Sequence, residues 1–162
     1  MSERAAVGAS IAPAAKPVAR VQVAWAGGQR FDAGRPGGPT LRLDGRGETG
    51  QSPVDAVLSA LAGCVSIDVV EILAKRRTPV ERLEVAVEGE RFNGTPKRLV
   101  AVTLAFAIDG AGIDALHAER AIDLALNKYC SVRDSLARDI PVTWTLVLNG
   151  TPVAPGEARA EL

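Results

Sequence analysis

The sequence predicts an α+β fold in which a largely antiparallel sheet carries its helices on one face. Segments in which apolar and polar residues alternate recur along the chain, as expected for half-buried strands. Between them, the run 54–73 is mostly apolar and follows residues that typically start a helix. The predicted order is three strands, a helix, two strands, a helix and a last strand, within one domain over residues 20–150.

Three short strands are predicted before the first helix. Residues 20–25 alternate between apolar and polar or small side chains, which indicates the first strand. Gly27-Gly28 then favours a hairpin turn into a second strand at 29–32, because glycine adopts the positive φ that such turns require. Leu41-Arg42-Leu43 predicts the third strand after a loop rich in glycine and proline.

The first helix has clear start and stop signals. Ser52 suits the N-cap, Pro53 suits the first helical position, and Asp55 is placed to cap the backbone of Ser52 in return. The basic residues 75–77 favour a helix C-terminus, and Pro79 prevents continuation.

This helix is apolar around nearly its whole circumference, so every face needs a cover. A membrane span is disfavoured by Asp55, Asp68 and Glu71, because a charge near the bilayer centre costs about 2.5–3.5 kcal/mol. The helix is therefore predicted to be a core helix. One domain of this size cannot cover it on all sides, so we predict a symmetric homodimer in which it packs between the sheets of both subunits.

The remaining elements follow from the same patterns. Alternating residues predict two strands at 81–92 and 98–108 and a final strand at 142–148. Between them, an apolar face predicts a second helix at 114–129. Residues 1–19 and 151–162 lack periodicity and are predicted to be flexible tails.

Charge and composition argue against several function classes. With 19 basic and 19 acidic residues the chain has a formal net charge of zero, which does not favour a nucleic acid or a membrane surface as partner. Polar residues and prolines interrupt the first twenty residues, so no signal peptide is predicted and we expect a cytoplasmic protein. In that compartment a pair of cysteines is more often catalytic or redox-sensing than structural.

The chain has two cysteines, Cys64 inside the first helix and Cys130 after the second. A thiolate can attack an electrophilic oxygen, and a neighbouring thiol can then close a disulfide. Their separation of 66 residues does not decide whether they meet, and packing as small buried side chains is the alternative. A single histidine, His117, cannot complete a zinc site with them, so no metal is expected.

The segments around both cysteines resemble the two cysteine motifs of the OsmC/Ohr family, bacterial thiol peroxidases that reduce organic hydroperoxides. The matching features are Ser52-Pro53, the small residues leading to Gly63-Cys64, and Lys128-Tyr129-Cys130-Ser131-Val132. The resemblance covers residues 20–150. It implies an intertwined homodimer with sites at the subunit interface, Cys64 as the nucleophile, Cys130 as the resolving thiol, and no tightly bound cofactor.

In peroxidases of this family an arginine from the N-terminal hairpin assists the thiolate, and a glutamate directly after the helix-starting proline holds it. Here the residue after the proline is Val54, a departure from that pattern. Arg30, just after the predicted hairpin turn, is the best match for the arginine, with Arg35 and Arg46 as rivals. The three are therefore candidates for one catalytic position beside Cys64.

Two functions are consistent with these residues. The first is a peroxidase for apolar organic hydroperoxides, re-reduced by a dithiol that the resemblance implies to be a lipoyl group on a partner protein. The alternative is a dimeric redox-sensing or ligand-binding protein that has lost efficient turnover. Val54 favours the alternative, and so does Asp68, because a carboxylate one helical turn after Cys64 disfavours a thiolate there.

Overall fold

The computed structural model describes residues 17–157 and confirms the α+β class. Within these residues seven strands and three α-helices follow one another, and a π-helical turn (Ala125–Tyr129) continues the second helix. The elements are β1 (Gln22–Trp25), β2 (Arg30–Gly34), β3 (Thr40–Asp44), α1 (Pro53–Lys75), β4 (Arg82–Arg91), β5 (Leu99–Asp109), α2 (Ala115–Leu124), α3 (Ser131–Ser135), β6 (Val142–Leu148) and β7 (Thr151–Glu157).

The three N-terminal strands form a small antiparallel sheet in the order β1-β2-β3. Gly27 and Gly28 make the predicted turn with φ of 94° and 59°, values that glycine adopts without strain. In the register of β2 and β3, Arg30 lies opposite Asp44, and β3 contacts the long helix α1. The sheet is thereby attached to α1 along its β3 side.

The glycine-rich loop between β3 and α1 is organised around the carboxylate of Asp44. This carboxylate is only 2% exposed and accepts hydrogen bonds from the N–H of Arg46 and from the N–H and hydroxyl of Thr49. These donors favour the ionised form and hold the pKa of Asp44 at about 2. The N–H of Asp44 also bonds to the carbonyl of Gln51, so the loop delivers the chain directly to the start of α1.

Helix α1 begins as predicted. The hydroxyl of Ser52 accepts the N–H of Asp55 at 3.2 Å, and the Asp55 carboxylate accepts the N–H of Ser52 at 3.0 Å. The predicted reciprocal capping by Asp55 is therefore confirmed. At the other end of α1, Glu71 and Lys75 form an ion pair at 3.2 Å.

The larger sheet has the order β4-β5-β6-β7. Its β4/β5 and β6/β7 pairs are antiparallel, as predicted for most of the sheet, but β5 and β6 are parallel. Parallel neighbours require a crossover, which the chain makes through α2, the π turn and α3 between β5 and β6. The crossover leaves the end of α2, where Cys130 follows, against α1.

The prediction of a flexible tail over 151–162 is wrong for residues 151–157, which form β7. Asn149 and Gly150 both have positive φ, 48° and 77°, and turn the chain back along β6 in a tight hairpin. Pro152 and Pro155 are compatible with this position because β7 is an edge strand. The domain thus extends past residue 150, whereas residues 1–16 and 158–162 of the predicted tails lie outside the described part of the chain.

One stripe of α1 is buried by the rest of this chain, through Leu61, Val65, Val69 and Leu73 at four-residue spacing. By length and composition alone α1 could also span a membrane. Its buried stripe is instead part of the hydrophobic core, and α1 contacts β4 and α2. Other apolar positions on α1 stay exposed, most of all Ile67 at 63%.

Candidate functional site

The structure brings the two cysteines together. Cys64 is half-buried near the middle of α1, and Cys130 is 4% exposed at the end of the π turn. Cys64 lies close enough to Cys130 to raise the pKa of that thiol, and both thiols are free. Since α1 packs against the π turn and α3, residues 66 positions apart in sequence become direct neighbours.

The π turn determines how the chain presents Cys130. The N–H of Cys130 bonds to the carbonyl of Ala125 at 2.9 Å, five residues back, and the backbone of Cys130 then leaves the helical region. Cys130 becomes the N-cap of α3, where its Sγ accepts the N–H of Arg133 at 3.3 Å. The predicted helix over 114–129 therefore exists as α2 followed by this wider turn, and the turn ends at the thiol.

Burial raises the pKa of Cys130 from its ordinary value of 9.0 to about 11. The hydrogen bond and the charge interaction with Cys64 raise it as well, whereas the N–H groups of Arg133 and Val132 lower it. At neutral pH Cys130 is consequently a protonated thiol. A protonated thiol is a weak nucleophile, so Cys130 is poorly suited to the first attack on a substrate.

A cavity of about 420 Å³ opens beside Cys130. Its lining combines Cys130 and Tyr129 with three basic residues and one acidic residue, namely Lys128, Arg133, Arg138 and Asp134. Arg133 is unusual because it is a charged residue with only 8% exposure, and its Nη2 donates to the carbonyl of Ile140 at 3.2 Å. Arg133 was not predicted from the sequence, although its position three residues after Cys130 was a signal for contact across one helical turn.

A second depression, of about 330 Å³, lies along the C-terminal half of α1. Asp68, Glu71 and Lys75 line it together with Tyr129, which also borders the cavity beside Cys130. Asp68, predicted to lie near the thiol, therefore belongs to this acidic depression. The two openings on either side of Tyr129 differ in charge.

The structure places Arg30 on β2, where its Nε donates to the carbonyl of Gly27 at 3.3 Å. Within residues 17–157 no hydrogen bond or ion pair links Arg30 to either cysteine. The rivals Arg35 and Arg46 also lie in or beside the small sheet, in its loops. A role for any of the three at Cys64 stays a prediction.

Two further sequence candidates are explained by local structure. His117 pairs with Asp114, the N-cap of α2, and so stabilises the start of that helix. Val54, at the position where the family glutamate was expected, is half-buried and packs against the hydrophobic core. Neither residue contributes a charge to the thiol pair.

Comparisons with known proteins agree with this geometry. A family model described as OsmC-like protein matches residues 45–145, a range that includes both cysteines. Protein YhfA of Escherichia coli K12 is 34% identical over 125 residues, covering 76% of this chain and 93% of the relative.

Solved structures show the same fold. An OsmC-like protein from Mycoplasma pneumoniae superposes with a TM-score of 0.69 at 17% identity, covering 80% of this chain and 95% of the other. The organic hydroperoxide resistance protein OhrB of Bacillus subtilis gives a TM-score of 0.55 at 14% identity, with 80% and 98% covered. On the strength of the family match and the shared fold, the chain belongs to the OsmC/Ohr family of OsmC-like proteins.

Proposed function

We propose that this protein is a thiol-dependent peroxidase that reduces organic hydroperoxides through Cys64 and Cys130. The observation that carries the proposal is the adjacency of a half-buried thiol on α1 and a buried thiol on the neighbouring turn, beside an open cavity. Family membership supports a peroxide-related or stress role for such a pair.

The proposed reaction has three steps. The Cys64 thiolate attacks the distal oxygen of the hydroperoxide, the O–O bond breaks, and the alkoxide takes up a proton to leave as the alcohol. The Cys130 thiol then attacks the Cys64 sulfenic acid, which forms the disulfide and releases water. A dithiol finally returns both cysteines to thiols and is itself oxidised to a disulfide. A lipoyl group on a partner protein is the dithiol that the family resemblance implies.

Apolar hydroperoxides are the proposed substrates. Around Cys64 the exposed surface of α1 carries small or apolar residues, Ala60, Gly63 and Ile67. Apart from Gly63, its two neighbours and the adjacent backbone of α1, no atom of the described chain lies within 4 Å of the position that a Cβ on Gly63 would occupy, so the approach to the helix is open there. An alkyl or aryl group gains more than hydrogen peroxide does from such a surface, because apolar contact area stabilises binding.

We also propose a cytoplasmic homodimer, the state common in this family. In the isolated chain β1 and the residue before it expose large apolar side chains, namely Val21, Val23 and Trp25, the last at 70%. Contiguous exposed apolar surface of this kind marks an interface, and a two-fold dimer would cover it. Sedimentation at micromolar concentration should give twice the 16.9 kDa mass of one chain; a folded monomer would contradict the dimer.

The peroxidase is tested by treating the reduced protein with one equivalent of cumene hydroperoxide. Wild type should lose two hydrogens by mass spectrometry, Cys130→Ser should retain a sulfenic acid at Cys64, and Cys64→Ser should not react. Ser131→Ala, which alters the neighbour of Cys130 but leaves both thiols in place, is the matched control. Equal reactivity of the two cysteine variants would overturn the assignment of roles.

A redox-sensing dimer is the second candidate, favoured by Val54 and by the raised pKa of Cys130. Both functions predict that the disulfide forms once. Only a peroxidase continues to consume hydroperoxide when dihydrolipoamide is supplied in excess. Stoichiometric oxidation without turnover under those conditions would favour the sensor.

A further inference from the structure

The cavity beside Cys130 contains a buried guanidinium with no acidic partner. Arg133 has only 8% of its surface exposed, and within the described range 17–157 no ion pair includes it. A guanidinium has five N–H donors, whereas the protein acceptor found for this one is the carbonyl of Ile140. A buried charge without a counter-charge is costly to a fold, so its retention in the wall of a cavity points to an anionic ligand.

The surroundings of Arg133 favour the same ligand charge. Lys128 and Arg138 also line the cavity, and Asp134 is the acidic residue that opposes them. Three positive charges against one negative charge make the opening attractive to anions. The depression on the other side of Tyr129, with Asp68 and Glu71, has the opposite character and would repel them.

The sulfur at this cavity is that of Cys130, and this decides which step the cavity can serve. Attack by an incoming thiolate on Cys130 of the disulfide would expel Cys64. Attack on Cys64 would instead expel Cys130, a poor leaving group because burial raises its pKa. Although Cys130 is the more buried thiol, it lines this cavity and Cys64 does not, so the cavity and the leaving-group chemistry both direct a reductant to Cys130.

We propose that this cavity is the reductant site of the protein and that Arg133 selects a small thiol bearing a carboxylate. The proposal rests on the redox pair of the proposed function but names a different reductant, because the carboxyl group of a protein-bound lipoyl group is an amide and carries no charge. The thiolate of the reductant attacks Cys130 Sγ, a mixed disulfide forms there, and Cys64 leaves as a thiolate. A second thiol of the reductant then displaces Cys130, which takes up a proton, and the reductant departs as its disulfide.

The test uses protein oxidised with diamide, so that it does not depend on peroxidase activity. Dihydrolipoate and dihydrolipoamide carry the same dithiol, but only the first carries a charge, and the charge is remote from the sulfurs. We expect dihydrolipoate to reduce wild type about tenfold faster, the effect of one charge-assisted hydrogen bond. Arg133→Met should bring this ratio close to one, Arg133→Lys should keep most of it, and the exposed Arg120→Met is the control.

A second measurement covers the case in which Arg133→Met does not fold. Octanoate, a carboxylate without a thiol, should slow the reduction of wild type by dihydrolipoate, whereas methyl octanoate, which lacks the charge, should leave it unchanged. With 3-mercaptopropionate as a single thiol, peptide mapping should find the adduct on Cys130. A ratio near one in wild type, no effect of octanoate, or an adduct on Cys64 would overturn the proposal.

A hydroperoxide that bears a carboxylate is the other source of an anion for this cavity. A fatty-acid hydroperoxide and its methyl ester distinguish the two sources, because the reductant site predicts that Arg133→Met changes the oxidation rate of neither. A carboxylate preference of oxidation that disappears in Arg133→Met would overturn the reductant assignment. If hydroperoxides fail to oxidise the pair at all, the peroxidase proposal fails alone, since the disulfide made with diamide still tests the cavity.

Discussion

The raised pKa of Cys130 predicts a specific pH profile for closure of the disulfide. Folding moves this pKa from 9.0 to about 11, so at pH 8 the reactive thiolate is about a hundredfold scarcer than in an ordinary cysteine. The more basic thiolate is also a better nucleophile, by a Brønsted coefficient of about 0.4–0.5, which recovers about tenfold. The net effect is a closure about tenfold slower, with a rate that climbs with pH until about 11.

Leu136→Ala is the perturbation that tests the cause. Leu136 is half-buried and lines the cavity beside Cys130, so its truncation admits water to the thiol. Because burial is the largest cause of the raised pKa, we expect the inflection to move towards 9.0 and closure at pH 8 to accelerate by up to about tenfold. Leu116→Ala, the same truncation at an exposed position of α2, is the matched control.

The assay uses 2,2′-dithiodipyridine, which first forms a mixed disulfide and releases one thiopyridone. Attack by the second cysteine releases another, so the absorbance of the slow phase reports closure. Cys130→Ser should show the first phase only. If the rate of the slow phase in wild type levels off near pH 9, burial does not raise the pKa of Cys130. The same conclusion follows if Leu136→Ala leaves the pH profile of this rate unchanged.

Three further outcomes follow from the structure. Ser52→Ala should lower the free energy of unfolding in urea by about 1 kcal/mol, because it removes the N-cap of α1; an unchanged midpoint and slope would contradict this. Asp44 has a pKa of about 2 in the fold against an ordinary 3.8, so its stabilisation is present above pH 3.8 and lost as the pH falls towards 2. The stability difference between wild type and Asp44→Asn should shrink over that range in urea titrations, and a constant difference would exclude the carboxylate as its source. Finally, Val54→Glu should speed the reaction of Cys64 with cumene hydroperoxide, and adding Arg30→Gln should cancel the gain if Arg30 is the assisting arginine; a gain that persists would assign the role elsewhere.

The features that the sequence predicted best depend on interactions between near neighbours. Ser52, Pro53 and Asp55 determine the start of α1 through hydrogen bonds that span three residues. Gly27-Gly28 determines the hairpin turn through its own φ values. Asn149-Gly150 is an equally local turn signal before β7, but Pro152 and Pro155 favoured the interpretation of this segment as a tail. Only the pairing of β7 with β6 shows that the two prolines lie on an edge strand, where proline is tolerated.

The site depends on packing between distant segments. The apolar pattern of α1 does not indicate which stripe of the helix is buried by its own chain. The sequence also does not indicate that the crossover from β5 to β6 places the end of α2 against α1, which carries Cys64. Adjacency of Cys64 and Cys130 was expected only through the family resemblance, and the burial of Arg133 was not expected. The sequence by itself determined the helix and turn boundaries and the presence of two thiols, because those are set by local chemistry. The tertiary structure decided the neighbours and solvation of the thiols, because these depend on how the helices pack on the sheet.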